Sequence, residues 1–283
     1  MMIRRPTTAA ALLMPASIMV VGLLCLPLLL LLRYSFNRFV SGQFMVEAFT
    51  ITNYLKFFSD PYYLAVLQTT VLMAFAVTAA CLALGLPMAS LVANARGRLK
   101  TVLLLLIILP LFVSNAVRAA GWMVAFGQRG VVNHLLMSAG VITEPLTMMY
   151  TPLSVFLGII SVNLPFVVLT LQSVLEGIEP NAADASLSLG ATPFETWRLV
   201  TLPLAMPGIL AAGVLSIILT MNAYATPVLL GGPSFQMMAP VVFNEVINQN
   251  NWPFGATISF ALMAVTLLLT VTANLYIARR YTF

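Results

Sequence analysis

The sequence predicts an all-α, polytopic membrane protein with six transmembrane helices. Of its 283 residues, 61% are hydrophobic and 7% are charged, whereas about a quarter of the residues of an ordinary soluble domain are charged. A helix needs about 20 apolar residues to cross the hydrocarbon core of a bilayer. Six runs meet this requirement: residues 9–32, 63–93, 101–126, 152–175, 204–230 and 254–278. We therefore expect one transmembrane domain over residues 1–283, embedded in a lipid bilayer.

The first two runs are both longer than a minimal span. Residues 9–32 follow Arg4 and Arg5, as the apolar part of a signal peptide would. That part has about 7 to 15 residues, so we interpret the longer run as an uncleaved first helix. Residues 33–60 are polar and rich in aromatic side chains, which are typical of the headgroup boundary. The run at 63–93 exceeds the length of a span, which predicts a tilted or partly interfacial helix.

The third run is interrupted, and the fourth and fifth carry polar residues and prolines. Pro110 and Ser114-Asn115 break residues 101–126. Backbone polar groups exposed at such a break are tolerated only against protein or a water-filled cavity. The fourth span contains Pro165 near its middle, and the fifth contains Pro227. These prolines are compatible with kinks beside a path through the membrane, and equally with ordinary prolines of membrane helices.

Polar side chains inside the spans are the candidates for a translocation path. They are Asn115, Asn163, Asn222 and Tyr224. Each has an alternative role, because a polar side chain in a membrane helix also forms hydrogen bonds that hold neighbouring helices together. The sequence leaves both roles open.

Basic residues predict the orientation of the chain, because cytoplasmic loops carry an excess of Lys and Arg. With six spans both termini lie on one side. A cytoplasmic N terminus places eight basic residues inside: Arg4, Arg5, Arg96, Arg98, Lys100, Arg198, Arg279 and Arg280. It leaves five outside: Arg33, Arg38, Lys56, Arg118 and Arg129. We therefore interpret the net charge of +5 as a topology signal, and we expect both termini in the cytoplasm and no nucleic-acid partner.

The polar loop between the fourth and fifth spans, residues 176–203, predicts two short helices. Asn181 can cap a first helix over 182–189, with the carboxylate of Asp184 in its first turn. Gly190 then suits the left-handed position that ends a helix.

A second helix is predicted to begin at Pro193, because Thr192 and Glu195 have the spacing of a capping box around that proline. Phe194 and Trp197 recur at helical spacing and form one apolar face, which we expect to pack against the bundle. Leu202-Pro203 is expected to turn the chain into the next span.

This loop resembles the "EAA" motif of permease subunits of binding-protein-dependent ABC importers. Asp184-Ala185-Ser186, three residues, Gly190, nine residues, Val200, one residue and Leu202-Pro203 follow the family spacing E-A-A, G, I and L-P. Asp replaces the glutamate, and Ser replaces the second alanine. The resemblance implies a type I ABC importer permease-like fold, in which the first short helix is a coupling helix that docks on a cytoplasmic ATPase subunit. The coupling residues it implies are Ala182, Ala183, Asp184, Ala185, Ser186, Leu187, Leu189, Gly190, Thr192 and Glu195. The alternative is an interfacial elbow that only joins two spans.

The resemblance extends from Asn53 to Arg280. The stretch from Asn251 to Ala256, N-W-P-F-G-A, is similar to the spermidine/putrescine branch of the family, in particular its first permease subunit. The implied assembly lies in the bacterial inner membrane. It contains two ATP-binding subunits that hold ATP and Mg, a second permease subunit in a heterodimer, and a periplasmic or extracellular solute-binding protein. The implied solute is polyamine-like, with aminoethylphosphonate, ferric iron and opine-like solutes as alternatives.

The sequence lacks a phosphate-binding loop and two common hydrolase motifs. A phosphate-binding loop G-x-x-x-x-G-K-[ST] is absent, as are the H-E-x-x-H and G-x-S-x-G motifs. Cys25 and Cys81 lie in separate apolar runs with no cluster of metal-ligating residues nearby. The acidic residues all map to loops or span ends, which disfavours a proton-coupled transporter. We therefore expect no enzymatic activity, metal or cofactor in this chain, although a membrane-embedded enzyme or a channel remains the rival class.

Overall fold

The computed structural model describes residues 6–281, most of which are helical. Arg4 and Arg5, which the orientation argument counts, lie outside the described residues. The helices are α1 (Pro6–Ser35), α2 (Thr52–Ser59), α3 (Pro61–Asn94), α4 (Gly97–Ile108), α5 (Asn115–Phe126), α6 (Val131–Ser138), α7 (Pro152–Glu176), α8 (Pro180–Ser188), α9 (Pro193–Thr196), α10 (Leu202–Met221), α11 (Met238–Phe243) and α12 (Trp252–Tyr281). A short hairpin of β1 (Arg38–Val40) and β2 (Phe44–Val46) follows α1.

Within the described residues, five helices are long and apolar enough to cross a membrane. They are Met14–Ser35, Pro61–Asn94, Pro152–Glu176, Pro193–Met221 and Trp252–Arg280. A sixth candidate is a pair, Gly97–Phe112 and Asn115–Ser138, bent by 97° at its break. The predicted number of six spans is reached when this bent pair is counted as one crossing.

The third apolar run is broken where the sequence predicts an interruption. Helix α4 tightens into a 3-10 turn at Leu109–Phe112, and the chain becomes extended at Val113. Ser114 then caps α5, because its hydroxyl accepts a hydrogen bond from the backbone N–H of Val117 at 3.4 Å. The proline within the turn and the capping serine after it explain why one apolar run forms two helices.

The fifth apolar run also differs from a single helix over 204–230. Helix α10 ends at Met221, and a π-helical turn at Pro227–Gly231 follows a short non-helical segment. Asn222 is the C-cap residue of α10. Its backbone N–H and its side-chain amide both donate to the carbonyl of Ile218, at 3.3 and 2.9 Å.

The contacts divide the chain into two compact units. The first contains the residues up to Pro61 and Val242–Ala261. In it, Asn53 donates its side-chain amide to the carbonyls of Ser35 and Asn37, at 2.8 and 2.9 Å. The polar connection predicted at 33–60 is therefore an ordered segment, made of the β-hairpin and α2.

The second unit contains Tyr62–Val241 and the residues from Leu262 onward, and it holds the main core. Its centre is α7 packed between α3 and α10, with buried aliphatic side chains such as Val77, Val167 and Ala212. Helices α7 and α10 approach closely, since a Cβ built on Gly208 would lie 2.3 Å from a methyl carbon of Val174. This tight packing fixes α7 and α10, which carry most of the cavity described below.

Candidate coupling loop and solute cavity

Helix α8 begins earlier than the sequence suggested. Glu179 is the N-cap residue, with an extended backbone and no side-chain cap, and Pro180 occupies the first helical position. The prediction that Asn181 caps this helix is therefore wrong, and Asp184 lies beyond the first turn. The physical reason is that proline, whose fixed φ suits the first helical position, starts the helix directly.

The end of α8 confirms the prediction for Gly190. Its φ is +91°, in the left-handed region where only glycine is unstrained. The backbone N–H of Gly190 bonds to the carbonyl of Leu187 at 3.0 Å, and that of Ala191 bonds to Ser186 at 3.2 Å. These two bonds are the pair that defines a Schellman motif. Gly190 therefore closes α8 and redirects the chain.

The start of α9 confirms the predicted capping box. The hydroxyl of Thr192 accepts from the N–H of Glu195 at 3.3 Å, and the Glu195 carboxylate accepts from the N–H of Thr192 at 2.7 Å. A further hydrogen bond, 3.1 Å long, joins the hydroxyls of Ser186 and Thr196. It ties α8 to α9, so the serine that departs from the family motif connects the two helices of the loop.

Two predictions for the second helix are corrected by the structure. Leu202-Pro203 does not turn the chain, because α9 continues into α10 through a π-helical turn at Trp197–Thr201. In that turn the N–H of Leu202 reaches back five residues to the carbonyl of Trp197, and such a bulge accommodates the proline that lacks an N–H. Phe194 does not pack against the bundle: it is 66% exposed and stacks on Trp197 with the ring centroids 6.3 Å apart.

The predicted coupling residues lie together on the accessible surface of this loop. Ala182, Ala183 and Ser186 are half-buried, whereas the other seven are exposed. Leu189 is 89% exposed at the tip of α8, with exposed Leu187 beside it. Apolar side chains clustered in this way on a polar loop are typical of a surface that contacts a partner.

An ion pair that the sequence does not suggest supports the loop. The Lys100 ammonium lies 2.7 Å from a carboxylate oxygen of Glu176, and the two side chains are 34% and 32% exposed. It joins the beginning of α4 to the end of α7. A cavity of about 640 Å³ lies next to it, lined by residues of the coupling loop that include Asp184 and Trp197, together with Arg96.

The four predicted path residues line one cavity of about 630 Å³. Asn115 begins α5, Asn163 lies in the middle of α7, and Asn222 and Tyr224 follow the end of α10. The structure therefore brings together residues that are more than 100 positions apart. This cavity is the candidate solute path of the chain.

The hydrogen bonds and the burial show that one of these four residues joins two helices, whereas the other three are exposed. Asn163 is only 1% exposed and donates to the Thr220 hydroxyl at 2.8 Å and the Ser216 carbonyl at 3.3 Å. It therefore holds α7 to α10, which was the alternative role. Asn222 uses its amide on its own helix. Asn115 and Asn222 are exposed, and Tyr224 is 37% exposed at the cavity.

Sequence reasoning missed Arg118, which also lines the cavity. Its guanidinium donates to the carbonyl of Ser161 at 3.1 Å, to that of Val113 at 3.3 Å and to that of Pro110. In the sequence-based orientation it counts only as one of five basic residues on the outer side of the membrane. A charged residue four positions after a helix-capping serine was the available signal, because a break in a membrane helix needs hydrogen-bond donors.

The fold and the site define a polytopic membrane permease, with a polar cavity and a capped helical loop beyond the span ends. Residues 82–282 match the model of the binding-protein-dependent transport system inner membrane component. The chain therefore belongs to the family of membrane-spanning permeases of binding-protein-dependent ABC importers. This confirms the resemblance drawn from the motif around Gly190.

A relative of known function supports the same assignment, and two solved structures share the fold. The chain is 31% identical over 258 residues to the spermidine/putrescine transport system permease protein PotB of Haemophilus influenzae, covering 90% of each protein. A bacterial ABC transporter for import of the acidic polysaccharide alginate has the same fold, with a TM-score of 0.77 and 18% identity over 99% of this chain and 98% of its own. A second structure, of an alginate transporter in complex with an alginate pentasaccharide-bound periplasmic protein, gives a TM-score of 0.74, with 18% identity over 98% and 96%.

Proposed function

We propose that α8 is the coupling helix through which a cytoplasmic ATPase subunit drives this permease. The observation that supports it most strongly is the construction of the loop. A helix of nine residues is marginal by itself, yet this one is closed by a Schellman motif and fastened to α9 by the Ser186–Thr196 bond. A simple elbow between two spans needs neither feature. An element that transmits force must keep its orientation, and these contacts provide that orientation.

The working assembly contains this chain as half of the solute pathway. It pairs with a second permease subunit, two ATP-binding subunits and a periplasmic or extracellular solute-binding protein. ATP and Mg bind to the ATPase subunits, and this chain does not hydrolyse ATP. The presence of a periplasmic protein in one of the alginate transporter structures supports the last partner by analogy.

Both termini lie in the cytoplasm in this proposal. The loop at 94–100 carries Arg96 and Lys100, and it faces the same side as α8 because Lys100 contacts Glu176. The basic residues and the coupling helix therefore point to the same cytoplasmic side, which agrees with the positive-inside rule.

The solute is a polyamine-like cation. Support comes from the similarity to PotB. The cavity lining includes amide and phenol side chains and the Arg118 guanidinium, and it has no carboxylate among the described residues. Amide and phenol oxygens accept hydrogen bonds from an amine, and, because no carboxylate pairs with it, most of the selection falls to the solute-binding protein. Aminoethylphosphonate, ferric iron and opine-like compounds remain the alternatives.

Reconstitution tests these proposals. The isolated chain in proteoliposomes is expected to show no ATPase activity, whereas the complete importer hydrolyses ATP faster when the loaded solute-binding protein is added. Uptake of labelled spermidine should be inhibited by excess putrescine. Transport of an inorganic ion without competition by polyamines would exclude the solute assignment, and turnover by the isolated chain would favour the enzyme class.

A further inference from the structure

A clamp between α5 and α7 lies at the wall of the cavity. Arg118 bonds both to the break before α5 and to Ser161 of α7. We propose that Arg118 is a positioning residue that fixes this wall and thereby sets the width of the passage that the solute meets. The identity of the solute in this proposal rests on the proposed function, whereas the clamp itself does not.

The break in the third span creates the need for such a residue. Carbonyls at the end of a helix have no partner within the helix, and inside a membrane water does not replace one. Arginine carries five N–H donors in a fixed planar fork, so one side chain can serve carbonyls from two segments. Arg118 does this, because Pro110 and Val113 belong to the break and Ser161 belongs to the neighbouring helix.

Ser161 is the second half of the clamp. Its carbonyl accepts from Arg118, and its hydroxyl accepts from the indole N–H of Trp122 at 2.9 Å. Arg118 and Trp122 are four residues apart, so they lie on the same face of α5. The Ser161 hydroxyl itself donates to the carbonyl of Gly158 at 2.6 Å. Helix α5 is therefore attached to α7 at two adjacent points.

The clamp lies beside two candidate path residues. Asn115 is three residues before Arg118 on α5, and Asn163 is two residues after Ser161 on α7. All three of Asn115, Arg118 and Asn163 line the same cavity. The distance between the α5 wall and the α7 wall therefore depends on the bonds of Arg118. Its guanidinium is directed at backbone carbonyls, and these oxygens surround the charge with partial negative charge.

The experiment uses the complete importer in proteoliposomes with its own solute-binding protein. The variants are Arg118→Met, which removes the clamp, and Arg118→Lys, which keeps the charge but cannot bridge the two segments. Arg129→Met is the matched control, because Arg129 is an exposed arginine that does not line the cavity. The measurement is kcat/KM for spermidine relative to that for putrescine, two amines of different length.

A positioning role predicts that both Arg118 variants change this ratio by about threefold or more, while Arg129→Met leaves it unchanged. If Arg118→Lys behaves as the wild type, the charge acts directly on the solute and the clamp is wrong. If both variants lower the two rates equally, Arg118 only stabilises the fold and the proposal fails. If Arg118→Met does not assemble, Arg118→Lys gives the direction of the change. Trp122→Phe, which removes the second attachment, must then change the ratio in that direction by a smaller factor.

A second measurement does not depend on the solute. Ala223→Cys places a thiol in the cavity lining, and its rate of reaction with a water-soluble maleimide is compared with and without Arg118→Met. The rate is expected to change several-fold in Arg118→Met and not in Arg129→Met. A changed rate in an importer that does not carry polyamines supports the clamp and refutes the polyamine assignment. An unchanged rate refutes the clamp whatever the solute is.

Discussion

At the scale of single residues, Gly190 has the strictest requirement in the coupling loop. Its φ of +91° is unfavourable for any residue with a Cβ, although the space around it is open. The cost of a side chain is therefore conformational, on the order of 1 kcal/mol and more for a β-branched one. We expect Gly190→Val to abolish uptake and weaken co-purification of the ATPase subunit, while insertion into the membrane is retained. Gly190→Ala should be intermediate.

Gly42 offers a matched control for this prediction. It has nearly the same φ, +92°, and also has no neighbour within 4 Å of a built Cβ, but it lies in the β-hairpin. Gly42→Val carries the same backbone cost without touching the coupling loop, so co-purification of the ATPase should be unaffected. Normal transport by Gly190→Val with the ATPase still bound would show that the loop is only an elbow.

The sequence predicts two helix caps in the loop, Asn181 and Thr192, and the structure contains only the second. Thr192 makes both bonds of a capping box, whereas Asn181 makes no cap. Loss of a cap costs about 1 kcal/mol, so Thr192→Ala should weaken ATPase binding about fivefold. Asn181→Ala should leave the affinity unchanged. Equal losses in the two variants, measured as ATPase affinity for the permease in nanodiscs, would contradict the observed start of α8.

At the scale of helices, local signals predict some ends and miss others. Gly190 and the Thr192–Glu195 box are visible in the sequence because each depends on neighbours within a few residues. The beginning of α8 was misplaced because Pro180 reads both as a stop for the preceding helix and as a start for the next. The passage of α9 into α10 was missed because a π-helical turn, which tolerates Pro203, has no clear sequence signature.

Contacts between helices lie beyond the reach of a single sequence. Lys100 and Glu176 are far apart in the chain, and so are Arg118 and Ser161, so no spacing rule relates them. Asn163 is a similar case. The sequence places it inside a span, but whether it lines the solute path or joins two helices depends on its hydrogen bond to Thr220, which is distant in the chain. The path residues could be proposed because polar groups in membrane spans are few.

Asn163 and Asn115 should therefore respond differently to substitution. Asn163→Ala removes the donor to Thr220 and Ser216 in a buried site, so it should lower stability by about 1 kcal/mol. Asn115→Ala, at an exposed cavity position, should change uptake with little effect on stability. Thermal unfolding of the purified importer and the KM for uptake separate the two effects. A reversed pattern would place Asn163 on the path and make Asn115 structural.

The ion pair between Lys100 of α4 and Glu176 of α7 is expected to contribute modestly to ATPase affinity, and exchanging the two charges should restore that contribution. Lys100→Glu and Glu176→Lys each place like charges together, and the double variant restores an opposite pair. Because both side chains are about one-third exposed, the coupling energy should be below about 1 kcal/mol. A double-mutant cycle on ATPase affinity measures it. Additive losses would show that the pair does not support the loop.

At the scale of the whole molecule, the bent pair decides the topology. If the bent pair crosses the membrane once, the chain has six spans and both termini lie on the same side. If the pair is a re-entrant loop, the chain has five spans and the termini lie on opposite sides. Helix α7 has 25 residues and is about 37 Å long at 1.5 Å per residue, which is more than the hydrocarbon thickness of about 30 Å. Its end at Glu176 contacts Lys100, so its start at Pro152 lies near the opposite face.

The chain between Lys100 and Pro152 must therefore cross the membrane, and that segment is the bent pair. Cysteines at Arg98 and His134, both exposed, test this in a Cys25→Ser background. We expect an impermeant maleimide added to intact cells to label His134→Cys, and Arg98→Cys only after the membrane is opened. Labelling of both from the same side would make the pair a re-entrant loop. It would also require Lys100 and Glu176 to lie on opposite faces, which their contact at 2.7 Å does not permit.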